Sequence, residues 1–145
     1  MPLAVRLLGI ADADALVELQ NAVAPGWVDA LAPGASGPIA FVADGDAFVF
    51  GAYVGDAAVG WLWGVHARRP DGRTMTYVHQ IDVVEAKRRQ GIATLMLEAA
   101  LGLARQRGSH KLWLMTRSAN EGGNGLYSSL VGDHESMRTW TWDLS

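Results

Sequence analysis

The segment from Val83 to Thr94 constrains the fold of this chain more than any other. It begins as an apolar, strand-like stretch, passes through a basic turn at residues 87–89, and enters a helical pattern at Gly91. A glycine lets the backbone approach a ligand closely, and the first turn of a helix has N–H groups without intrahelical partners. With the positive end of the helix dipole, these features predict a diphosphate site. A plain strand–helix turn with a solvated basic surface is the alternative.

The remaining sequence predicts an α/β (α+β) fold with the order β-α-α-β-β-β-α-β-α-β. Apolar residues recur at helical spacing after Gly91, and β-branched and aromatic residues dominate the central stretches. The predicted elements are, in order, a strand at 5–8, a helix from Asp12 or Asp14 to Val23, a short helix at 27–31, a loop at 32–38, strands at 48–54, 58–65 and 74–84, a helix from Gly91 to Gly108, a strand at 111–116, a short helix at 120–130 and a closing strand at 137–144.

Length and composition exclude several classes of protein. With 145 residues, half of them hydrophobic, we expect a single domain over 1–145. The absence of cysteine excludes a disulfide scaffold and a cysteine nucleophile, and the net charge of −3 argues against binding to nucleic acid. No apolar run approaches the roughly 20 residues that cross a bilayer, so no membrane association is expected. The sequence predicts a cytoplasmic protein that holds no metal.

The basic turn is not a nucleotide-binding loop of a familiar kind, because it matches neither the P-loop nor the dinucleotide fingerprint. It resembles the acyl-CoA signature of the GCN5-related N-acetyltransferase (GNAT) family, Arg/Gln-x-x-Gly-x-Gly/Ala, with Arg88, Gly91 and Ala93 in the three defined positions. Leu126-Tyr127, which follows Asn120, resembles a second motif of the family. The resemblance implies a GNAT-like mixed central sheet whose strands splay around the acyl-CoA site.

The resemblance also implies how acetyl-CoA, the co-substrate, is held. Backbone amides of the turn would bind the pyrophosphate, and one strand would pair with the pantetheine arm, with the thioester oxygen near the amide of Val83. Asn120 would contact the CoA side of the gap between the splayed strands. The cofactor-binding residues expected on this basis are Ile81, Asp82, Val83, Arg88, Arg89, Gln90, Gly91, Ile92, Ala93, Thr94 and Asn120.

Acetyl transfer to a primary amine requires a base and an acid. An amine with a pKa near 10 is about 0.1% neutral or less at pH 7, so a base must take its proton before attack. His79 is the predicted base, because imidazole exchanges protons near neutral pH, and a buried histidine without catalytic duty is the alternative. Tyr127 matches the family's tyrosine that protonates the departing thiolate, and the alternative is a core tyrosine. Tyr77, Gln80 and Asp82 are candidates for a water relay.

The strand period decides which of these side chains share a face. On a regular strand, His79, Ile81 and Val83 lie on one face. Gln80 and Asp82 then lie on the other face, unless a bulge intervenes. Trp61 and Trp63 share a sheet face and are predicted to be core residues.

The sequence says less about the identity of the amine acceptor than about the co-substrate. Trp27 lies where the family builds its acceptor-binding loop, and we expect it and Gln80 to contact the acceptor. The predicted function is acetyl transfer from acetyl-CoA directly to a primary amine of a small molecule. Three alternatives stay open: an aminoglycoside acceptor, a protein N-terminus or lysine, and a non-catalytic acyl-CoA sensor. A homodimer also stays open.

The aminoglycoside alternative rests on a second resemblance. Residues 88–94 are similar to the corresponding stretch of the short aminoglycoside 3-N-acetyltransferases, and acidic residues outnumber basic ones in the first half of the chain. That subfamily has an aspartate where this chain has Gln80, so the match is incomplete at the acceptor side.

Overall fold

Five strands form one mixed sheet in the order β1-β2-β3-β4-β5. The computed structural model describes residues 2–26, 29–117, 120–130 and 132–145, and it divides into two units, 1–114 and 115–145. The first four strands are antiparallel neighbours, and the last runs parallel to the fourth. The strands are β1 (Leu3–Leu7), β2 (Ala47–Val54), β3 (Ala57–Arg68), β4 (Thr74–Val83) and β5 (Ser109–Leu114).

Helices connect these strands and, in the first unit, cover the sheet. A single turn of 3-10 helix at Glu85–Lys87 joins β4 to the longest helix. The helices are α1 (Ala13–Val23), α2 (Ser36–Ala43), α3 (Ile92–Gln106) and α4 (Glu121–Ser129). The predicted mixed α/β fold is confirmed, and the predicted element order holds up to and including α4.

The two faces of the sheet carry different layers. On one face, Trp61 packs with Leu16 and Leu19 of α1 in a buried cluster, and Trp63 is packed against its edge. On the other face, a β-carbon at Gly60 would meet Ile92 and Met96 of α3. Because side chains alternate along a strand, α1 and α3 lie on opposite faces. The prediction of a core residue is confirmed for Trp61, whereas Trp63 lies on the same face but is only half-buried.

A β-bulge interrupts the pairing of β3 with β4. Trp63 is opposite Gln80, whereas the next residue, Gly64, is opposite Val78, so His79 is the extra residue of β4. Such an extra residue shifts the alternation of side chains by one position. The sequence predicted that His79 shares a face with Ile81 and Val83 unless a bulge intervenes. The bulge is present, so His79 does not share their face.

The predicted helix at 27–31 is wrong. Residues 29–31 are not helical, and the second helix is α2, which begins inside the predicted loop. The side chain of Asn21 donates to the carbonyl of Leu31 and accepts from its N–H, both at 2.9 Å, so these backbone groups need no helix. Pro38 is tolerated in α2 because N–H groups in the first turn have no helical partner.

The predicted closing strand at 137–144 is also wrong. The structure assigns no strand to these residues, although Thr and Trp alternate there. Alternation indicates that a segment has two different faces, but a strand forms only when a partner supplies its backbone hydrogen bonds.

No helix within the described ranges is long and apolar enough to cross a membrane.

Candidate active site

The turn between β4 and α3 has the geometry that the sequence predicted for anion binding. Gly91 is the N-cap of α3 with φ of +80°, and Arg89 also has a positive φ, of +63°. The first helical bond in this turn runs from the N–H of Leu95 to the carbonyl of Gly91, at 3.1 Å. Across the ranges that the structure describes, no side chain caps this end of α3, which leaves its first N–H groups free to bind a ligand.

Arg88 ties the basic turn to the end of β4. Its Nε donates to the carbonyl of Val83 at 3.0 Å, while its backbone N–H donates to Glu85 at 3.2 Å. Ile92, 4% exposed, anchors the start of α3 in the core. The turn is thus held at both ends, and it carries residues 89–94, whose backbone amides are predicted to bind the pyrophosphate.

The last residues of β4 offer an open edge. The N–H of Val84 donates to the carbonyl of Val59 on β3, at 2.9 Å. In an antiparallel ladder, hydrogen-bonded pairs alternate, so the backbone groups of Val83 and Ile81 point away from β3 and those of Asp82 point toward it. β5 pairs with β4 only as far as Val78. Within the described residues, no strand therefore pairs with this edge.

Beyond the bulge, β4 presents a polar pair to the two tryptophans of β3. Asp82 Oδ2 accepts hydrogen bonds from Gln80 Nε2 and, at 3.4 Å, from Trp61 Nε1. Trp63 Nε1 donates to Gln80 Oε1 at 3.1 Å. We call Trp61, Trp63, Gln80 and Asp82 the tryptophan–aspartate cluster. It fixes a carboxylate beside two indole rings on the face covered by α1.

His79 lies on the same face as this cluster. The centroid of its ring lies 4.6 Å from the ring centroid of Trp63, with 32° between the two ring planes. Its Nδ1 is 3.2 Å from the phenolic oxygen of Tyr77, and Tyr77 in turn stacks on Trp113 of β5 at 4.3 Å. The imidazole is exposed, so its protons exchange with solvent. The bulge thus places the predicted base on the face of β4 that also carries Gln80 and Asp82.

The second unit carries the two residues taken from the second motif. Asn120 is the N-cap of α4, where its Oδ1 accepts from the N–H of Gly123 at 3.1 Å and its Nδ2 donates to Thr116 at 3.0 Å. Tyr127 lies on α4 and is half-buried. Their expected roles, contact with CoA and protonation of the thiolate, stay predictions.

Two further results concern the sequence-based expectations. Trp27, expected at the acceptor, lies outside the described residues. The sequence predicted only a core role for Trp63 and gave no sign that its ring contacts His79. The contact between Tyr77 and the imidazole of His79 was also missed. The i, i+2 spacing of Tyr77 and His79 was the available signal for that contact. In the described part of the chain, no three metal-binding side chains gather.

Known proteins share both the sequence pattern and the fold. The profile of the acetyltransferase (GNAT) family matches residues 14–132. No curated protein sequence is significantly similar to the chain. Among solved structures, an aminoglycoside acetyltransferase, HMB0005, from an uncultured soil metagenomic sample is 22% identical, with a TM-score of 0.89 and 100% of both chains covered.

Two other solved structures have the same fold. The aminoglycoside acetyltransferase meta-AAC0020, also from an uncultured soil metagenomic sample and in complex with sisomicin, is 16% identical, with a TM-score of 0.87 and 99% of this chain and 97% of that chain covered. The aminoglycoside N-acetyltransferase AAC(6')-Iy in complex with CoA is 16% identical, with a TM-score of 0.75 and 98% and 94% of the two chains covered. At these identities, the similarity establishes a common fold.

Proposed function

Because the chain belongs to the acetyltransferase (GNAT) family and is an acetyl-CoA-dependent N-acetyltransferase, we propose that its acceptor is a primary amine of a polycationic small molecule of the aminoglycoside class. The observation that carries the proposal is the tryptophan–aspartate cluster beside His79. The aminoglycoside acetyltransferases that share the fold support the same acceptor class. The cytoplasm is its expected location, since acetyl-CoA is an intracellular metabolite.

The co-substrate is proposed to lie along the turn and the open edge of β4. The N–H groups at the start of α3 and the positive charges of Arg88 and Arg89 suit the two phosphates of CoA. The backbone groups of Ile81 and the N–H of Val83 point away from β3 and suit an extended pantetheine arm, which would pair with them as an added strand. The carbonyl of Val83 is already bonded to Arg88. This arrangement directs the thioester toward the bulged part of β4.

The acceptor is proposed to lie against the side chain of Asp82, which is only half-buried. A carboxylate attracts an ammonium group through a charge-assisted hydrogen bond. Asp82 is held by Gln80 and Trp61, so it is oriented before the acceptor arrives. A neutral or anionic acceptor would gain nothing from this carboxylate.

Three groups are assigned parts in direct transfer, namely His79, the N–H of Val83 and Tyr127. His79 takes a proton from the ammonium group, and the neutral nitrogen attacks the thioester carbon. The N–H of Val83 stabilises the negative oxygen of the tetrahedral intermediate, since backbone N–H groups are the usual donors for such an oxyanion. The C–S bond breaks as the carbonyl reforms, and Tyr127 donates a proton to the CoA thiolate.

A released-thiol assay with acetyl-CoA tests the proposal directly. The panel contains multi-ring aminoglycosides, small monoamines and short peptides with a free N-terminus or a lysine. We expect turnover with the aminoglycosides at the highest kcat/KM. Turnover with peptides alone would replace the proposed acceptor by a protein, and acetyl-CoA binding without turnover on any amine would favour a sensor.

A variant of Asp82 tests the acceptor site itself. Asp82→Asn removes the negative charge and keeps the backbone, whose groups at this position point toward β3 and away from the proposed pantetheine site. We expect KM for a polycationic acceptor to rise at least tenfold while KM for acetyl-CoA stays within twofold. The matched control is Asp56→Asn, which removes an exposed carboxylate in the turn between β2 and β3. Equal effects of the two variants would contradict a role of Asp82 in acceptor binding.

A further inference from the structure

The imidazole of His79 is held on two sides. The ring of Trp63 covers one side at 4.6 Å, and the phenol of Tyr77 meets Nδ1 at 3.2 Å. Tyr77 is itself fixed, because its ring stacks on Trp113 at 4.3 Å with 31° between the planes. The chemistry proposed above uses His79 and leaves the hydroxyl of Tyr77 without a role.

The hydrogen bond at Nδ1 matters because the two nitrogens of a neutral imidazole differ. One carries a hydrogen and donates, and the other has a lone pair and accepts. The partner of one nitrogen selects which form is present. A phenol is able to donate or accept, so the direction of this bond decides whether Nε2 of His79 is a base.

We propose that Tyr77 is a positioning residue, whose phenolic oxygen accepts the hydrogen of His79 Nδ1 and keeps the lone pair on Nε2. This inference rests on the proposed function, in which His79 accepts the proton of the amine. When Nε2 takes that proton, the imidazolium donates from both nitrogens, and Tyr77 continues to accept at Nδ1. The phenol keeps its own hydrogen throughout, and the exposed imidazole then releases the proton to solvent.

Among the described residues that contact His79, Tyr77 is the one that can fix the tautomer of the imidazole. On β3, the neighbouring ring is Trp63, which has no titratable group. On β4, Tyr77 is the titratable group in contact with the imidazole, while the carboxylate of Asp82 accepts from Gln80 and Trp61. A phenolic oxygen that accepts the hydrogen of Nδ1 leaves the lone pair of the neutral ring on Nε2.

The first test reads the tautomer and needs no activity. Nitrogen-15 NMR of the protein, with the His79 signals identified by their loss in His79→Gln, reports which ring nitrogen carries the hydrogen. We expect hydrogen on Nδ1 in the parent protein and a shift toward hydrogen on Nε2 in Tyr77→Phe. Tyr77→Phe keeps the ring that stacks on Trp113 and removes only the hydroxyl. Hydrogen on Nε2 in the parent protein would overturn the proposal.

The second test reads the reaction. We expect Tyr77→Phe to lower kcat about tenfold, to leave KM for acetyl-CoA within twofold, and to change the rising limb of the plot of kcat/KM against pH. The matched control is Tyr53→Phe, which removes a buried hydroxyl that has no hydrogen-bond partner among the described residues and should change none of these. A parent-like rate and pH profile in Tyr77→Phe would overturn the proposal, whereas a parent protein without activity on any amine would overturn the proposed function instead.

Discussion

Gly64 of β3 and Tyr77 of β4 approach so closely that a β-carbon on the glycine would lie 1.9 Å from the carbonyl oxygen of Tyr77. The same β-carbon would lie 2.9 Å from the ring of Phe48. Gly64 is also the residue at which the pairing of β3 with β4 shifts by one position. The bulge that places His79 beside Trp63 therefore depends on the absence of a side chain at position 64.

We expect Gly64→Ala to displace β4 from β3 and to lower the free energy of unfolding by at least about 2 kcal/mol, because a backbone atom has to move. Thermal or urea unfolding measures this loss. Gly37→Ala is the matched control, since a β-carbon there meets nothing within 4 Å. A melting temperature of Gly64→Ala equal to that of the parent would show that the strands are not in close contact at this glycine.

We expect Gly91→Val to weaken acetyl-CoA binding at least tenfold, which corresponds to about 1.4 kcal/mol. A side chain at this position would project into open space beside the unpaired N–H groups, and φ of +80° is strained for any residue with a β-carbon. Calorimetry measures the affinity. Gly102→Ala, in the middle of α3 with open space around it, should keep the parent's affinity. Parent-like affinity in a folded Gly91→Val would refute the diphosphate site.

If Tyr127 protonates the departing thiolate, Tyr127→Phe should lower kcat about 10²-fold, the low end for general acid catalysis, and should keep the affinity for acetyl-CoA. Single-turnover rates and calorimetry measure the two effects separately. Tyr53→Phe again removes a hydroxyl elsewhere and serves as the control. A rate within twofold of the parent, with chemistry limiting, would make Tyr127 a packing residue.

A base has to lose a proton before it acts, so kcat/KM should rise with pH through an apparent pKa. His79→Gln should abolish this limb and lower kcat about 10²-fold, while the fold and the affinity for acetyl-CoA are kept. Steady-state kinetics over a range of pH measures the limb.

The amine's own titration produces a similar limb, so the pH profile has to be measured with two acceptors of different amine pKa. A limb that stays at the same pH with both acceptors belongs to the enzyme. A limb that follows the acceptor and survives in His79→Gln would mean that the enzyme selects the neutral amine, and the assignment of the base would be wrong.

A second histidine predicts how stability depends on pH. His66 is 7% exposed, stacks on Phe48 at 4.8 Å, and shares a hydrogen bond of 2.9 Å with the hydroxyl of Thr76. Burial is the main cause that lowers the pKa of His66, and the charge of Arg107 lowers it further, while Asp46 acts in the opposite direction. The folded protein therefore resists protonation of this ring.

In the unfolded chain, His66 takes up a proton near pH 6.5, its ordinary pKa, before the folded protein does. The stability contributed by the neutral ring is thus present above about pH 6.5 and is lost as the pH falls below it. Urea unfolding at pH 7.5 and 5.5 should show a smaller loss in His66→Gln than in the parent. His110→Gln, at an exposed histidine, should keep the parent's loss. Equal losses of unfolding free energy in the parent, His66→Gln and His110→Gln would show that His66 is not the cause of the pH dependence.

Local signals in the sequence predicted the turn that is proposed to bind the co-substrate. Gly91 and the basic residues before it lie within one turn, and α3 follows with regular apolar spacing, so neighbouring residues alone determine this geometry. The turn, α3 and the central strands were therefore placed correctly to within a few residues.

Only the tertiary structure decided the acceptor side. The face of His79 depends on whether β4 slips by one residue against β3, and that slip depends on Gly64, which is 15 positions away in the chain. The expected strand at 137–144 did not form for a related reason, because alternation describes a segment and a strand also requires a partner. Contacts between residues distant in sequence have no periodic signature, so the bulge, the tryptophan–aspartate cluster and the contact of Tyr77 with His79 became visible only in the folded chain.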